Sequence, residues 1–303
     1  MIDTFLQESP ILDRLKFVPV EGSAYAYNQE ETLPNVSFIS PGGSFPESTG
    51  TISQAVEVLK EFGGDSDVPA LYQDTMSNLQ DQRATALKLT TKSMYFEFQD
   101  KFINGDTDSS DSKEFDGLKK RLVGSQVITP DAPIPVVGNG GSDVHAFLDK
   151  LDELLSEVVG INGNNGAIYV NKYILGKMRS AFRHVSADLQ LQTDIYGKRV
   201  VMWNGIPIHD IGEDLSGSDI LPQTEILPED EDENPTSSIY AVRFSDVEKD
   251  AGVIGLSDSE LIKIRDIGLL EGKDSYRARV KMYAGLAIFN GKSASRLMGV
   301  LNG

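Results

Sequence analysis

Cysteine is absent from the 303 residues. Its absence excludes structural disulfides, thiolate nucleophiles and cysteine-ligated zinc or iron–sulfur centres in one step. Histidine is scarce. The three are His145, His184 and His209, and no two stand four apart, the spacing that puts a pair of metal ligands on one helical face. A membrane-length apolar run is missing as well. The longest apolar stretch near the C-terminal end, Met282 to Phe289, is far short of the roughly 18 residues of a membrane span. The first ten residues, MIDTFLQESP, carry Asp3 and Glu8 where an export signal is basic. These absences together predict a soluble, intracellular protein with no cofactor, no metal and no membrane contact.

What is abundant is negative charge: 46 Asp and Glu against 28 Lys and Arg, for a net −18. Such a balance repels nucleic acid and anionic membranes and disfavours a broad DNA-gripping face. The exception is the end of the chain. From Ser275 to Gly303 there is no Asp or Glu, where the chain's own average would place roughly four. Arg277, Arg279, Lys281, Lys292 and Arg296 give this stretch +5, leaving −23 on the residues before it.

The glycine-rich stretches fail as nucleotide sites. In GLAIFNGKS, Gly285 and Gly291 are separated by five residues rather than four, and Ala287, Ile288 and Phe289 are apolar where a phosphate cradle needs permissive backbone. In VVGNGGSDVHAF the third glycine of a dinucleotide fingerprint falls at Asp143. A carboxylate there complements the helix dipole and repels a pyrophosphate. No G-x-S-x-G elbow is present, no carboxylate pair is singled out, and the acidic run at 229–233 lacks the spacing and turn glycine of a calcium loop. No catalytic residue is expected.

Local patterning predicts mixed helix and strand. The first 75 residues read as extended, with no compact core of their own. Ala84, Leu87, Thr91, Met94, Phe98 and Phe102 recur at spacings of three and four, predicting an amphipathic helix from Arg83 to Ile103 stopped by Asn104 and Gly105. A second helix is expected from a Ser142 cap to Gly160, burying Val144, Phe147, Leu148, Leu151, Leu155 and Val158. AIYVN reads as a strand, Asn171 as the cap of a third helix, and WNGI at 203–206 as a type I′ hairpin turn. A long polar loop is expected over 213–237, before the strand SIYAVRFS. In the closing strand Arg277, Arg279, Lys281 and Tyr283 alternate with Tyr276, Ala278, Val280 and Met282.

The extended opening with its loop (VPVEGSAYAYNQEETLPNVSFISPGGSFPESTG), the long helix followed by SKEFDGLKKRL, and the closing YRARVKMYAGLAIFN occur in an order that resembles the major capsid proteins of tailed bacteriophages. The resemblance spans essentially the whole chain. It implies an α+β, Hong Kong 97-type fold: an N-terminal arm (1–28), an extended loop (29–75), a peripheral domain with a spine helix (76–135 and 259–285) and a mixed axial domain (136–258 and 286–303). It also implies self-assembly in pentamers and hexamers into an icosahedral shell around packaged double-stranded DNA, without specific DNA binding. Further expected partners are a separate scaffolding protein, a portal and a decoration protein. The expected location is the virion, assembled in the bacterial host cytoplasm. A nanocompartment shell of the encapsulin kind and an acidic hydrolase are the competing readings.

Within the closing strand, Val280 and Met282 are expected to press on the spine helix near Met94 and Phe98. Arg277, Arg279 and Lys281 are the candidate subunit contacts, either solvated or meeting carboxylates on the chain's own extended loop or a neighbour's. If such a ladder forms, on the chain's own loop or a neighbour's, reversing Arg277 and Arg279 to Glu is expected to spare subunit folding and harm assembly.

Overall fold

The computed structural model describes residues 9–76, 81–108, 113–138, 141–184, 191–193, 199–228, 230, 232–245 and 252–301. The first eight residues of the expected arm, and parts of the acidic run, lie outside the described residues. The described part of the arm leans on the body of the fold. Ser9 accepts from the backbone N–H groups of Ile11 and Leu12, and the turn it closes drives Ile11, Leu12 and Leu15 into the main core. Strands β1 (Phe17–Pro19), β2 (Ala24–Thr32) and β3 (Thr51–Val58) follow. β2 and β3 form a two-stranded antiparallel hairpin. β4 (Lys60–Pro69) then leaves the stretch expected to be extended loop and enters a sheet of the body, leading into the short helix α1 (Ala70–Met76).

The spine helix α2 spans Gln82–Asn104. It begins where expected because Asp81 accepts from the N–H groups of Arg83 and Ala84 at 3.0 and 3.3 Å. It stops at Gly105, where an added Cβ would lie 2.3 Å from the Phe115 carbonyl oxygen. Thr91, Met94, Phe98 and Phe102 are buried on one face, joined by Tyr95, Gln99 and Ile103. Next come α3 (Leu118–Arg121), β5 (Val127–Ile128), β6 (Ile134–Pro135) and α4 (Gly141–Ser156). Ser142 lies inside the first turn of α4 rather than capping it. The helix ends four residues before Gly160, where the Ser156 hydroxyl donates back to the carbonyls of Asp152 and Glu153.

β7 (Gly166–Val170) leads into α5 (Lys172–His184), whose Ile174 N–H is capped by the Asn171 side chain at 2.8 Å. β8 (Leu191–Thr193), β9 (Arg199–Trp203) and β10 (Ile206–Asp210) follow. The β9–β10 turn has φ 48° at Asn204 and 77° at Gly205, the left-handed pair that a type I′ turn requires. The chain ends with β11 (Ser237–Arg243), β12 (Val253–Ser257), β13 (Lys263–Leu269), β14 (Ser275–Ile288) and β15 (Ala294–Leu301).

Two sheets organise the body. In the first, β14 is central, pairing with β4 along one edge and with β13 and then β12 along the other, while β1 adds in parallel to β12. Val280 and Met282 face Met94 and Phe98 in the main core, as the sequence predicts. In the second sheet the order is β5–β15–β11–β7–β10–β9–β8, with β6 also on β15. Every residue of β7 is buried. Its side chains alternate between two cores: Ala167 and Tyr169 join the spine-helix core, Ile168 and Val170 the core formed with α4 and α5.

Gly63 of β4 lies against β14 so closely that an added Cβ would sit 2.2 Å from the Val280 carbonyl oxygen, whereas at Gly64 the nearest atom would be the Thr90 methyl at 3.3 Å. Gly63→Ala is therefore expected to destabilise the subunit by about 2 kcal/mol, the scale of a small overpacking defect, and Gly64→Ala by less than about half of that. Urea unfolding of the two variants checks the contrast.

Candidate assembly interface

The three candidate contact residues lie side by side on β14, and carboxylates of β4 face them within the same chain. The antiparallel register sets Arg277 opposite Asp67 and Arg279 opposite Asp65. Arg277 Nε and Nη2 donate to the two carboxylate oxygens of Asp67 at 2.6 and 2.7 Å, and Arg279 makes the same fork on Asp65 at 2.6 and 2.9 Å. Arg277 also reaches Asp65 at 3.4 Å, so that carboxylate is shared. Lys281 Nζ lies 3.0 Å from Glu61 and 2.7 Å from the Tyr283 hydroxyl. Of the alternatives in the sequence, solvation or a carboxylate ladder, the chain contains the ladder, and its acids stand on β4. The hydrogen bonds from Arg279 and Arg277 hold the carboxyls of Asp65 and Asp67, respectively, below the ordinary aspartate range. Reversing Arg277 and Arg279 would thus set acids against acids inside the subunit rather than spare its folding. A sequence signal for the partners existed: Asp65 and Asp67 alternate in EFGGDSD as Arg277 and Arg279 do in YRARVK.

The β2–β3 hairpin is anchored at its base and bare at its end. Tyr27 and Gln29 donate to the Ile288 carbonyl at 3.2 and 2.7 Å. Tyr27 packs edge-on against Phe289 with ring centres 5.0 Å apart. Arg121 grips Glu57 through both terminal guanidinium nitrogens, at 2.5 and 2.7 Å. The connecting segment 33–50 has one charged residue, Glu47. It displays Leu33 at 78 % exposure, Val36 at 91 %, Phe38 and Phe45. In a chain of net −18, four large apolar side chains on one projecting, almost uncharged segment form a surface suited to burial against another molecule.

A buried ion pair fastens the second sheet to the loop before it. Arg296, on β15, donates to Glu225 at 2.7 Å and to the Ser238 hydroxyl at 3.0 Å, with its guanidinium over the Tyr240 ring. Burial opposes the charge on Glu225, but Arg296, the Ser238 hydroxyl and Lys119 outweigh it and leave the carboxyl more acidic than usual. The loop over 213–237 is not uniformly solvated: Ile220, Leu221 and Leu227 are buried, the first two in the main core. The rejected nucleotide loops are accounted for as well. Gly285 sits within β14, and the Asp143 carboxylate lies so close to Gly138 that an added Cβ would meet it at 2.1 Å. Among the described residues no group of three or more His, Asp or Glu is placed to hold a metal ion, and no helix is long and apolar enough to cross a membrane.

No sequence-family model matches this chain, and no curated protein matches it. Solved structures do. The holo-SrpI encapsulin complex from Synechococcus elongatus superposes with a TM-score of 0.67 at 19 % identity, covering 96 % of this chain and 87 % of the encapsulin chain. The capsid of the native GTA particle gives 0.63 at 13 %, covering 96 % and 90 %. The fold is of the Hong Kong 97 type. The satellite phage P4 procapsid that includes the size determination (Sid) protein shares this Hong Kong 97 fold over 100 % of this chain and 98 % of its own, with a TM-score of 0.58 at 10 % identity.

Two outcomes follow from the ion pairs. Because the folded-state carboxyls of Asp65 and Asp67 are more acidic than in the unfolded chain, their contribution is present above the unfolded value near pH 4 and is lost as pH falls through the lower folded values. Amide exchange along β4, corrected for intrinsic rates, should stay slow at pH 6 and accelerate below about pH 4. Glu225→Gln leaves the buried Arg296 charge without its carboxylate and is expected to cost about 3 kcal/mol in chemical denaturation.

Proposed function

We propose that this chain is the major capsid protein of a tailed phage, a structural subunit rather than an enzyme, assembling in pentamers and hexamers into an icosahedral shell around packaged double-stranded DNA. The observation that carries the reading is the projecting segment 33–50, with Leu33, Val36, Phe38 and Phe45 bare on a subunit whose fold is that of shell proteins. A lone subunit gains nothing from displaying them, whereas a closed shell offers each copy a neighbour on which to bury them. In this reading the hairpin is the extended loop, the first sheet with α2 is the peripheral domain, and the second sheet with α4 and α5 is the axial domain. The strand pairings favour ending the extended loop near residue 58 and assigning β4, β12 and all of β14 to the peripheral unit, in place of the 29–75, 136–258 and 286–303 limits expected from sequence. The intrachain ladder on β4 and β14 supports Arg277, Arg279 and Lys281 as residues that hold the shape of a contact region more than as contacts themselves.

The same reading brings a separate scaffolding protein, a portal and a decoration protein as partners, and the virion as the location after assembly in the host cytoplasm. Net negative charge on the surface facing the genome would keep the enclosed duplex mobile rather than bound. The similarity to an encapsulin favours a second reading, a nanocompartment shell that encloses protein cargo in place of DNA.

Negative-stain microscopy of the expressed chain, with a scaffold partner where one is supplied, should show shells of uniform diameter. Persistent small oligomers under all assembly conditions would refute both readings. Particles purified from infected or producing cells decide between the two: nuclease-protected double-stranded DNA supports the capsid, and a single enclosed enzyme without DNA supports the nanocompartment. Val36→Asp with Phe38→Asp should leave the subunit's melting temperature within about 2 °C, as exposed sites do, and abolish particle formation in sedimentation.

A further inference from the structure

Helix α3 is one turn long, and its four residues reach four different places. Leu118 is fully buried in the main core. Lys119 Nζ lies 3.1 Å from Glu225, which in turn holds Arg296 of β15. Lys120 Nζ lies 2.8 Å from each of Asp106, Asp108 and Asp116, in the turn that follows the spine helix. Arg121 grips Glu57 of β3 and donates through Nε to the Asp116 carbonyl at 2.8 Å. Three consecutive cations thus bind three separate parts of the molecule: the loop whose Glu225 holds β15, the end of the spine and the base of the hairpin.

A helix this short has little rigidity of its own, because a single turn fixes several backbone angles for few internal hydrogen bonds. Its start is tied to the end of the spine helix by the Gly117 N–H, which donates to the Gly105 carbonyl at 2.8 Å, and beyond that its position is set by what its side chains hold. Beside the Arg121–Glu57 fork lies an open cavity of about 280 Å³, lined by Tyr27, Gln29, Glu57, Arg121, Leu122 and Ile288 among others. The charged grip on the hairpin base therefore borders open space.

We propose that α3 is a coupling element: through Arg121 it sets the tilt of the β2–β3 hairpin, and through Lys119 and Glu225 it makes that tilt depend on the position of the second sheet. A displacement of β15 or of the 225 loop is carried to the hairpin along Arg296, Glu225, Lys119 and Arg121 without any direct contact between the second sheet and β3 in this path. Lys120, held by three carboxylates, is the pivot that ties the turn to the spine. The coupling is built from contacts within one chain, so it stands or falls separately from the shell reading.

Hydrogen–deuterium exchange on the full-length subunit, kept below the concentration at which it assembles, tests this. Arg121→Ala should raise exchange in residues 24–32 and 51–58 by about tenfold, as a local opening does, while amides of 94–104 in the spine change by less than about twofold. Glu57→Gln, which alters the hairpin alone, should reproduce the effect and serves if Arg121→Ala fails to fold. The exchanged pair, Arg121→Glu with Glu57→Arg, should recover most of the protection. The deciding variant is Lys119→Ala, which touches no hairpin residue. Coupling requires it to raise hairpin exchange by about threefold or more. If Lys119→Ala changes only the 220–237 loop, or if Arg121→Ala leaves hairpin exchange at the wild-type rate, the proposal is wrong.

Discussion

One strand imposes order on the rest. β14 runs for 14 residues without a break and joins distant parts of the chain, with β4 from its first quarter along one side and β13 and β12 from its last along the other. Its buried side lays Val280 and Met282 under the spine helix, and its other side carries the cations. Whatever fixes β14 fixes the path of the chain into the spine helix, because β4 leads directly through α1 to α2. The close approach at Gly63 and the two arginine forks act on the same strand pair, one by letting the backbones meet and the other by specifying which residues meet.

The placement of charge follows from scarcity. With 28 cations among 46 acids, those cations that settle geometry make multiple contacts: Arg277 and Arg279 share Asp65, Lys120 serves three carboxylates, and Arg296 is buried with Glu225. Exposed pairs of this kind contribute little to stability, because water and salt screen them. Their value here is register and position more than stability. The Arg296 pair is different, since breaking it would leave a charge in a dry place. The projecting segment 33–50 has almost no charge, so an electrostatic rule that governs the body does not govern it.

Helices and turns were legible in the sequence because their causes are local. Asp81, Gly105, Asn171 and the Asn204–Gly205 pair each act within a few residues of themselves, and the spine-helix stripe is read directly from its spacing. The alternation of β14 was also legible, down to which residues face Met94 and Phe98. What escaped were pairings across long separations. EFGGDSDVP looked like loop because two glycines and three acids have little strand preference, and only the partner strand makes it one. The turn at 9–15 has no periodic pattern of its own, and Ile11 and Leu12 gain their place in the core only from elements distant in sequence. The fork between Glu57 and Arg121, and the burial of Glu225, have no local signature. A carboxylate in an acidic chain is one among dozens until the fold sets a guanidinium beside it.

The full burial of β7 bears on how the molecule comes apart. A strand with Tyr169 facing the spine core and Ile168 facing the core of α4 and α5 has no side that tolerates water, so neither core can dissolve while the other keeps the strand in place. The two halves of the body are therefore expected to melt together, and the freedom the subunit retains lies outside that shared strand, in the hairpin and the turns that hold it.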